Sequence, residues 1–302
     1  MKRKFLVLGG DFRNVELAQM LAKDQNKVIT YGLEKSEEIN ENNEIDKIEK
    51  LENAIEKAEI IIAPTPFSTD KQNLNAPFSK EKIMINDLIK SNKNKIFIAG
   101  GINEKIKEEL DKKYQNVIDV MKREELSILN TIATAEGTIK VAIENTDRIL
   151  QGAKVLILGF GRVAKIVANK FSLLSTTVTC AARKTSDLAW IKAYGYESLN
   201  INDMLYDLNY FDIIINTVPQ TIIKEKELKH MKSDVLLIDL ASYPGGIDGT
   251  MASKMGMKFV WALALPGKVA PKSSAQFIKD TIYNILENNE KNNKQEKCRI
   301  TR

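Results

Sequence analysis

Residues 154–183, KVLILGFGRVAKIVANKFSLLSTTVTCAAR, hold the pattern that decides the fold. The apolar run at residues 155–158 is typical of a parallel strand that is covered on both faces. Gly159 and Gly161 follow it at once, and Ala164 completes the G-x-G-x-x-A form of the dinucleotide fingerprint. A helical spacing of apolar residues and a second strand come next. The stretch therefore predicts a dinucleotide-binding βαβ unit, with a tight turn that binds no ligand as the alternative.

The glycine turn is expected to bind the pyrophosphate of the cofactor. The first glycine makes the turn, the second lets the phosphates approach the backbone, and the small third residue lets the helix pack on the strand. The start of the helix adds free N–H groups and a partial positive charge. The residues predicted to bind this part of the cofactor are Gly159, Phe160, Gly161, Arg162 and Val163.

The end of the second strand indicates which nucleotide is bound. NAD-binding units usually place an acidic residue there for the ribose 2′-hydroxyl, whereas NADP-binding units offer a cation to the 2′-phosphate. This chain has Ala182 and Arg183 at that point. We therefore predict NADP as the cofactor, with Arg183 as the main phosphate partner and Lys184 or Ser186 assisting. The alternative is a solvated Arg183 and a site that takes either NADP or NAD.

Three further apolar runs, at residues 211–217, 235–240 and 257–263, continue the parallel sheet. The loops after them lie at the carboxyl ends of strands, where a Rossmann fold binds the nicotinamide half of the cofactor. The residues predicted to lie near the nicotinamide ribose are Thr217, Val218 and Pro219.

The composition is that of an ordinary globular protein. The chain has 302 residues, 43% of them hydrophobic, and a formal net charge of +5. It has no apolar run near the roughly 18 to 20 residues that a membrane span requires, and no basic block interleaved with aromatic residues. Its two cysteines, Cys180 and Cys298, lack metal-site or disulfide spacing. We expect a cytosolic protein that holds no metal and binds neither membranes nor nucleic acid.

The first 122 residues alternate strands and helices by themselves. Their short connections and glycine turns favour a small doubly wound parallel sheet of the flavodoxin-like type. Strands are predicted at residues 4–8, 28–31, 60–63, 96–99 and 117–120. An amphipathic helix is predicted between the second and third strands, with Ile45, Ile48, Leu51 and Ile55 along its apolar stripe.

The predicted fold class is α/β, with two doubly wound parallel-sheet domains and an interdomain cleft. The amino-terminal domain is expected to be flavodoxin-like and the carboxy-terminal domain a Rossmann fold. The polar tail is expected to be disordered because it has few apolar residues to bury. The predicted segments are a substrate-side domain at 1–122, a connecting helix at 123–150, an NADP-binding domain at 151–268, a C-terminal helix at 269–288 and the polar tail at 289–302.

Polar turns follow three strands of the first domain, at residues 9–13, 64–68 and 100–103. The carboxyl ends of parallel strands face the ligand in sheets of this kind. Arg13 stands beside a predicted helix N-terminus, which favours an anion site for a carboxylate, with a plain surface arginine as the alternative. Thr65 occupies the second of the three turns.

Glu136 lies in the connecting helix on a predicted apolar stripe, seven residues from Leu129 and from Ile143. Burying a carboxylate without a partner is costly. Glu136 is therefore expected either to pair with a cation or to face a cleft and do chemistry. Gly137 beside it would permit the close approach of another backbone or of a ligand.

The single histidine argues against one common reaction. Oxidation of a secondary alcohol such as a 2-hydroxy acid commonly uses a histidine as the proton acceptor. His230 lies in a lysine-rich stretch before the strand at 235–240, at the wrong end of that strand, and is expected on the surface. Removal of a hydride from a ring that becomes aromatic needs less help from a base. Glu136, Lys268 or a water molecule could suffice for it.

Six short motifs, taken together, resemble the family of the dipicolinate synthase A-subunit. They are Gly9-Gly10-Asp11-x-Arg13, Thr134-Ala135-Glu136-Gly137, Gly159-Phe160-Gly161-Arg162, Asn216-Thr217-Val218-Pro219, Asp239-Leu240-Ala241-Ser242-x-Pro244-Gly245-Gly246 and Leu265-Pro266-Gly267-Lys268-x-Ala270-Pro271. Other two-domain dehydrogenases share individual motifs, but the joint set is specific and spans almost the whole chain. The resemblance implies NADP-dependent oxidation of a dihydrodipicolinate to pyridine-2,6-dicarboxylate. It also implies the mother cell of a sporulating bacterium as the place, and as the partner a flavoprotein-like B-subunit of dipicolinate synthase.

A dicarboxylate substrate needs two anion sites. Arg13 and Lys268 would supply them from opposite domains, and Glu136 would orient the substrate or take a proton. The other residues predicted to bind the substrate are Thr65, Thr134 and Ser242. A salt bridge for Glu136 and a solvated side chain for Lys268 are the alternatives.

Two other functions stay open at this point. One is another two-domain NAD(P)-dependent dehydrogenase that acts on an amino acid or a hydroxy acid. The other is a regulatory nucleotide-binding subunit whose cleft is catalytically silent. A homo-oligomer is also left open.

Overall fold

The computed structural model describes residues 2–90 and 93–300, without the side chains of residue 93 and residues 292–300. The chain forms two compact units. The first consists of Met1–Leu129 with Ala270–Arg302, and the second of Asn130–Val269. The C-terminal segment thus belongs to the first unit, although it follows the second unit in the chain.

The first unit is built on a parallel sheet of six strands. Its strands are β1 Lys4–Leu8, β2 Lys27–Tyr31, β3 Ile45–Lys47, β4 Ile60–Ile62, β5 Lys93–Ala99 and β6 Tyr114–Asp119, in the order β3-β2-β1-β4-β5-β6. Its helices before the connector are α1 Phe12–Lys23, α2 Glu37–Asn40, α3 Leu51–Lys57, α4 Ile85–Lys90 and α5 Glu104–Asp111. The long helix α6, Glu124–Asn145, begins in this unit.

One edge of this sheet differs from the predicted flavodoxin-like fold. The five predicted strands lie in the flavodoxin order, 2-1-3-4-5 in their own numbering. A sixth strand, β3, extends the sheet beside β2, where an amphipathic helix was predicted. Ile45 pairs with Val28 and is buried, and α3 starts only at Leu51. The extra strand makes this unit Rossmann-like, as the second unit is.

The second unit repeats the arrangement with the same connectivity. Its strands are β7 Lys154–Leu158, β8 Thr177–Ala182, β9 Glu197–Asn200, β10 Ile213–Asn216, β11 Leu236–Asp239 and β12 Lys258–Trp261, in the order β12-β11-β10-β7-β8-β9. Its helices after α6 are α7 Arg162–Ser172, α8 Thr185–Ala193, α9 Glu225–Leu228, α10 Gly249–Lys254 and α11 Leu265–Val269. The predicted α/β class and the Rossmann fold of this half are confirmed.

The central strand of this second sheet shows why its sequence is a continuous apolar run. Val155 and Ile157 belong to the hydrophobic core on one face, and Leu156 and Leu158 to the core on the other. All four side chains are fully buried. Because helices cover both faces, the alternation of apolar and polar residues that marks a half-exposed strand is absent here.

The last helix, α12 Pro271–Ile300, continues beyond the predicted end at residue 288. The expectation of a disordered tail from residue 289 is therefore wrong as far as Ile300, and residues 301–302 lie outside the described part. Its first half packs in the core of the first unit through Ile278 and Ile282. Asp24, at the end of α1, accepts hydrogen bonds from Lys279 Nζ and Tyr283 Oη, both at 2.8 Å. Across the described residues, we find no helix whose length and apolar character together would let it span a bilayer.

Candidate functional site

A groove of about 560 Å³ opens at the carboxyl ends of β7, β8 and β10 in the second unit. It brings together most of the residues predicted to bind a dinucleotide, although they come from three separate loops. Those that line it are Gly159, Phe160, Gly161, Arg183, Lys184, Thr217, Val218 and Pro219. Of the remaining predicted cofactor residues, Arg162 and Val163 begin α7, and Ser186 lies in the first turn of α8 without lining the groove.

The glycine turn has the backbone that its pattern predicts. Gly159 has a φ of +95°, a conformation that side-chain-bearing residues rarely adopt. A Cβ atom there would lie 2.7 Å from Thr217 Oγ1 and 2.9 Å from Val218 Cγ2. Only glycine therefore lets the turn pass this close to the loop after β10.

Gly161 leaves space where a phosphate would have to lie. It is the N-cap of α7 and provides no side-chain hydrogen bond to the first turn. A Cβ atom at this position would meet no atom within 4 Å. The N-cap residue therefore offers no side-chain acceptor to the N–H groups at the start of α7, and the space beside Gly161 is open. This is a helix terminus that suits an anion, so the residues present fit a dinucleotide pyrophosphate.

The end of β8 supplies the positive charge of the groove. Arg183 and Lys184 follow the strand directly, and both are exposed. Sequence reasoning missed two acidic neighbours that also line the groove, Asp187 in α8 and Glu227 in α9. Glu227 accepts a hydrogen bond from the backbone N–H of Lys224 at 3.0 Å, whereas Asp187 lies four residues after Arg183 in the first turn of its helix. A carboxylate opening a helix was the signal for Asp187 in the sequence.

A buried carboxyl group, Asp239, organises the loops beside the groove. Its Oδ1 atom accepts hydrogen bonds from Asn216 Nδ2 at 2.7 Å and from the backbone N–H of Ala241 at 2.9 Å. Its Oδ2 atom accepts from the backbone N–H groups of Gly246 at 2.7 Å and Ile247 at 3.0 Å. With an exposure of 1%, Asp239 is satisfied by protein donors alone.

Asn216 extends this network to the wall of the groove. It is fully buried, and its amide donates to the carbonyl of Val218 at 2.9 Å and accepts from the N–H of Val218 at 3.1 Å. Thr217 is anchored as well, because its Oγ1 donates to the carbonyl of Leu158 at 2.8 Å. Sequence reasoning assigned no role to Asn216 or Asp239. The sequence did contain a signal for them, because each is a polar residue at the end of an apolar strand. In the sheet the two residues are paired directly.

Glu136 does not lie on a buried face. It is exposed, and its Oε1 accepts a hydrogen bond from Lys170 Nζ at 3.0 Å. The predicted place of Glu136 on a buried apolar stripe is therefore wrong, and Ile143 on the same row is also exposed. The buried residues of α6 in this unit are small. Thr131, Ala135, Thr138 and Ala142 follow one another at spacings of four and three, and Ala133 is buried too. Small side chains give a weak hydrophobic signal but let neighbouring elements pack closely.

Gly137 shows this close packing directly. A Cβ atom there would lie 3.0 Å from Leu265 Cβ and 3.1 Å from Val269 Cγ2. The close approach predicted for Gly137 is that of α11, which carries Lys268 with an exposed side chain. Thr134, half-buried on α6, donates from its hydroxyl to the carbonyl of Asn130 at 2.9 Å. The hydroxyl of Thr134 is therefore bonded within its own helix.

Ser242 lies in the loop after β11, where its side chain is exposed. Its carbonyl accepts a hydrogen bond from the N–H of Gly245 at 2.8 Å, which closes a turn in this loop. Substrate binding by Ser242 stays a prediction.

Arg13 and Thr65 meet in the first unit. The guanidinium of Arg13 is buried and binds both carboxylate oxygens of Asp11, with a shortest distance of 2.7 Å, and it also donates to the carbonyl of Thr65. The alternative of a plain surface arginine is therefore wrong. In this structure the anion held by Arg13 is the side chain two residues before it, and binding of a substrate carboxylate stays a prediction. Thr65 packs against Gly100, where any Cβ atom would clash with its side chain.

Two common catalytic groups lie away from these residues. His230 is exposed beyond α9, with its Nδ1 atom 2.9 Å from the carbonyl of Lys226, so its predicted surface position is confirmed. Cys180 is buried inside β8, and burial raises the pKa of its thiol to about 12. Such a thiol stays protonated at neutral pH and is a poor nucleophile.

Comparison with known proteins first defines the class. Residues 117–242 match the family described as D-isomer specific 2-hydroxyacid dehydrogenase, NAD binding domain. The groove thus belongs to a dehydrogenase-type domain, and the chain is an oxidoreductase with a nicotinamide dinucleotide as its cofactor.

The particular family follows from the rest of the chain. Residues 4–121 match the N-terminal domain of the dipicolinate synthase A-subunit. The crystal structure of the dipicolinate synthase A-subunit from Bacillus halodurans is 31% identical, with 94% of this chain and 97% of that chain covered and a TM-score of 0.83. The chain therefore belongs to the dipicolinate synthase A-subunit family, which confirms the family predicted from its motifs.

Two comparisons with Bacillus subtilis proteins agree. The dipicolinate synthase A-subunit of strain 168 is 29% identical over 285 residues, covering 94% of this chain and 95% of that protein. The crystal structure of the A chain of dipicolinate synthase is 28% identical, with 95% of this chain and 97% of that chain covered and a TM-score of 0.83. The similarity extends over both units.

Proposed function

We propose that this protein oxidises a dihydrodipicolinate to dipicolinate, pyridine-2,6-dicarboxylate, with NADP. The substrate ring loses a hydride and a proton and becomes aromatic, while NADP⁺ is reduced to NADPH. The observation that carries the proposal is the groove of the second unit, with open space beside Gly161 and two cations at Arg183 and Lys184. Membership of the dipicolinate synthase A-subunit family supports the choice of substrate.

Each part of the groove would have its own task in this reaction. Arg183 and Lys184 would bind the 2′-phosphate, and the N–H groups at the start of α7 would bind the pyrophosphate. Thr217 and Val218, fixed by their hydrogen bonds, would hold the nicotinamide ribose in place. The bound cofactor supplies a hydride acceptor. Because the product ring absorbs the electrons left by the departing proton, no strongly basic residue is needed.

The activity is tested by adding chemically generated dihydrodipicolinate and NADP to the purified protein and following NADPH by absorbance. We expect NADPH and dipicolinate in equal amounts. NADPH formed only with an amino acid or a hydroxy acid would favour the alternative dehydrogenase. Tight NADP binding without turnover on any of these compounds would favour the regulatory role.

Replacing Arg183 by alanine should reverse or abolish the preference for NADP over NAD. A charge-assisted hydrogen bond contributes about 1.5 to 3 kcal/mol, so the ratio of kcat/KM for the two cofactors should fall by about tenfold to a hundredfold. The Michaelis constant for NAD should change little, since NAD lacks the 2′-phosphate. Lys192→Ala, which removes an exposed cation from α8 outside the groove, is the matched control. An unchanged ratio of kcat/KM for NADP and NAD in Arg183→Ala would show that Arg183 does not bind the 2′-phosphate.

We further propose Lys268 as a ligand of a substrate carboxylate and Glu136 as the group that orients the substrate or takes its proton, with Arg13, Thr65, Thr134 and Ser242 completing the substrate site. Lys268→Ala is expected to raise the KM for dihydrodipicolinate about tenfold, because it removes one charge-assisted hydrogen bond.

Glu136→Gln is expected to lower kcat about tenfold or more, within the range of general acid–base catalysis. Glu144→Gln on the same helix is the control, because Glu144 also pairs with a lysine, Lys140, at 3.7 Å. Full turnover of Glu136→Gln and Lys268→Ala at saturating NADP would leave Glu136 as the ion-pair partner of Lys170 and Lys268 as a solvated side chain.

The protein is also proposed to act with the dipicolinate synthase B-subunit in the cytoplasm of the mother cell of a sporulating bacterium. Its Bacillus subtilis relative is the A-subunit of dipicolinate synthase, which supports the proposal of a partner subunit. Rates measured with and without the added B-subunit would test whether that partner changes turnover.

A further inference from the structure

An aromatic side chain stands out on the loop of residues 241–247, which follows β11. Tyr243 is 85% exposed, although the loop that carries it is held firmly. The N–H groups at both ends of the loop, Ala241 and Gly246, bond to the buried Asp239, and Gly245 closes the turn within it. The loop thus presents a large aromatic ring to solvent.

Trp261, at the end of β12, supports this ring from behind. The two ring centroids are 6.4 Å apart and the ring planes differ by 26°, a stacked arrangement. The indole is fixed in turn, because its Nε1 donates to the carbonyl of Ala241 at 2.9 Å. A Cβ atom at Gly245 would lie 3.4 Å from the indole, so the glycine lets Trp261 lie close to the loop. The adjacent rings of Tyr243 and Trp261 are called the aromatic platform below.

The order of the strands places this platform next to the nicotinamide end of the groove. The groove runs from Arg183 after β8, past β7, to Pro219 after β10, and the next strand in the same direction is β11. The wall of the groove and the loop of Tyr243 are joined directly, since the backbone N–H of Ile222, which lines the groove, donates to the carbonyl of Gly246 at 2.8 Å. Tyr243 does not itself line the groove, but its loop borders the end that lies far from Arg183. A molecule that reacts at that end would lie beside this loop.

We propose that Tyr243, backed by Trp261, recognises the ring of the substrate by stacking against its face and is thus a specificity-determining residue. This inference rests on the proposed function, which supplies a flat six-membered heterocycle with two carboxylates. Aromatic pairs prefer offset stacking, and such contacts contribute beyond the area that they bury. A dihydropyridine ring carries tetrahedral carbon and stacks imperfectly, whereas the aromatic product is planar. The contact therefore strengthens as the ring flattens, which favours the transition state and the product over the substrate.

The test measures the binding of dipicolinate by calorimetry at saturating NADP. Tyr243→Leu removes the π-system but keeps an apolar side chain, and we expect it to weaken dipicolinate binding about tenfold. Tyr243→Phe should bind within about twofold of wild type, because stacking needs the ring and not the hydroxyl. Turnover of dihydrodipicolinate by Tyr243→Leu should fall more than its KM rises. NADP affinity and thermal unfolding should stay at wild-type values.

Tyr206→Leu is the matched control, because Tyr206 is 88% exposed in the same unit but follows β9, at the edge of the sheet away from β11. As a spectroscopic signature, dipicolinate should change the fluorescence of Trp261 in a Trp190→Phe background, which leaves a single tryptophan in the chain. If wild type binds dipicolinate and Tyr243→Leu binds it equally well, the inference is overturned and the proposed function stands. If wild type neither binds dipicolinate nor oxidises its dihydro form, both are overturned.

Discussion

Replacing Gly159 by alanine is expected to weaken dinucleotide binding to the second unit by about a hundredfold or more. The backbone there has a φ of +95°, and the added Cβ atom would lie 2.7 Å from Thr217 Oγ1 and 2.9 Å from Val218 Cγ2. Neither residue can move without losing hydrogen bonds. The hydroxyl of Thr217 donates to the carbonyl of Leu158, and both the N–H and the carbonyl of Val218 bond to the side-chain amide of Asn216. The turn and the loop after β10 must separate, and both line the groove.

The expected effect on cofactor affinity is a loss of about a hundredfold or more, which corresponds to about 3 kcal/mol. The free energy of unfolding should also fall by about 1 to 2 kcal/mol, the usual cost of placing a side chain in this region of backbone space. Calorimetric titration with NADP and urea unfolding measure the two quantities separately.

Alanine variants of two other glycines distinguish the effect of backbone strain from the effect of blocking the ligand. Gly152 also has a positive φ, +77°, but a Cβ atom there meets no atom within 4 Å, and it lies outside the groove. Gly152→Ala should therefore lower stability by a similar strain and leave NADP binding unchanged. Gly161 has an ordinary φ of −81° and open space around it, so Gly161→Ala should cost about 1 kcal/mol or less as a poorer N-cap, yet weaken NADP binding at least tenfold. If Gly159→Ala bound NADP as tightly as Gly152→Ala, the groove could not be the cofactor site.

The dinucleotide turn was predictable because its signals are local. A strand buried on both faces, two glycines and a helix start follow one another within a few residues, and each has a separate physical reason to be there. The wrong prediction at residues 45–55 has a physical cause too. Ile45 and Ile48 are three apart, which fits a helical stripe. In the structure Ile45 is held instead by pairing with β2, a contact with residues far away in the chain.

The surroundings of Glu136 and Arg13 were harder to predict from the sequence. Glu136 was assigned to a buried face because it shares a seven-residue spacing with Leu129 and Ile143. Residues seven apart are nearly two helical turns apart, so they lie on the same face of a helix. This spacing does not tell whether that face is buried or exposed. Arg13 was expected to hold a substrate carboxylate, yet its nearest anion is Asp11, two residues away, at a shortest distance of 2.7 Å. When an arginine has an acidic residue two positions away, as Arg13 has in Asp11, a salt bridge between the two is the first possibility to consider.

A substitution at Asp239 is expected to destabilise the second unit strongly. Removing its carboxyl group leaves four N–H donors in a buried site without an acceptor: those of Ala241, Gly246 and Ile247 and the amide of Asn216. Each buried donor left unsatisfied costs about 1 to 3 kcal/mol. Asp239→Ala should therefore lower the free energy of unfolding by about 3 kcal/mol or more, even after the loop relaxes.

The conservative variant Asp239→Asn distinguishes the loss of hydrogen bonds from the loss of packing. Its volume is unchanged and one oxygen can still accept, but its amide nitrogen now faces donors on the other side. We expect Asp239→Asn to be destabilised almost as much as Asp239→Ala, which a simple loss of packing would not produce. Asp207→Ala, at an exposed position in the same unit, should stay within about 0.5 kcal/mol of wild type. Both tryptophans, Trp190 and Trp261, lie in this unit, so their fluorescence during urea unfolding reports on it directly. Wild-type stability of both Asp239 variants would mean that the loops beside the groove are held by their own turns, and that Tyr243 owes its position to Trp261 rather than to the buried carboxyl group.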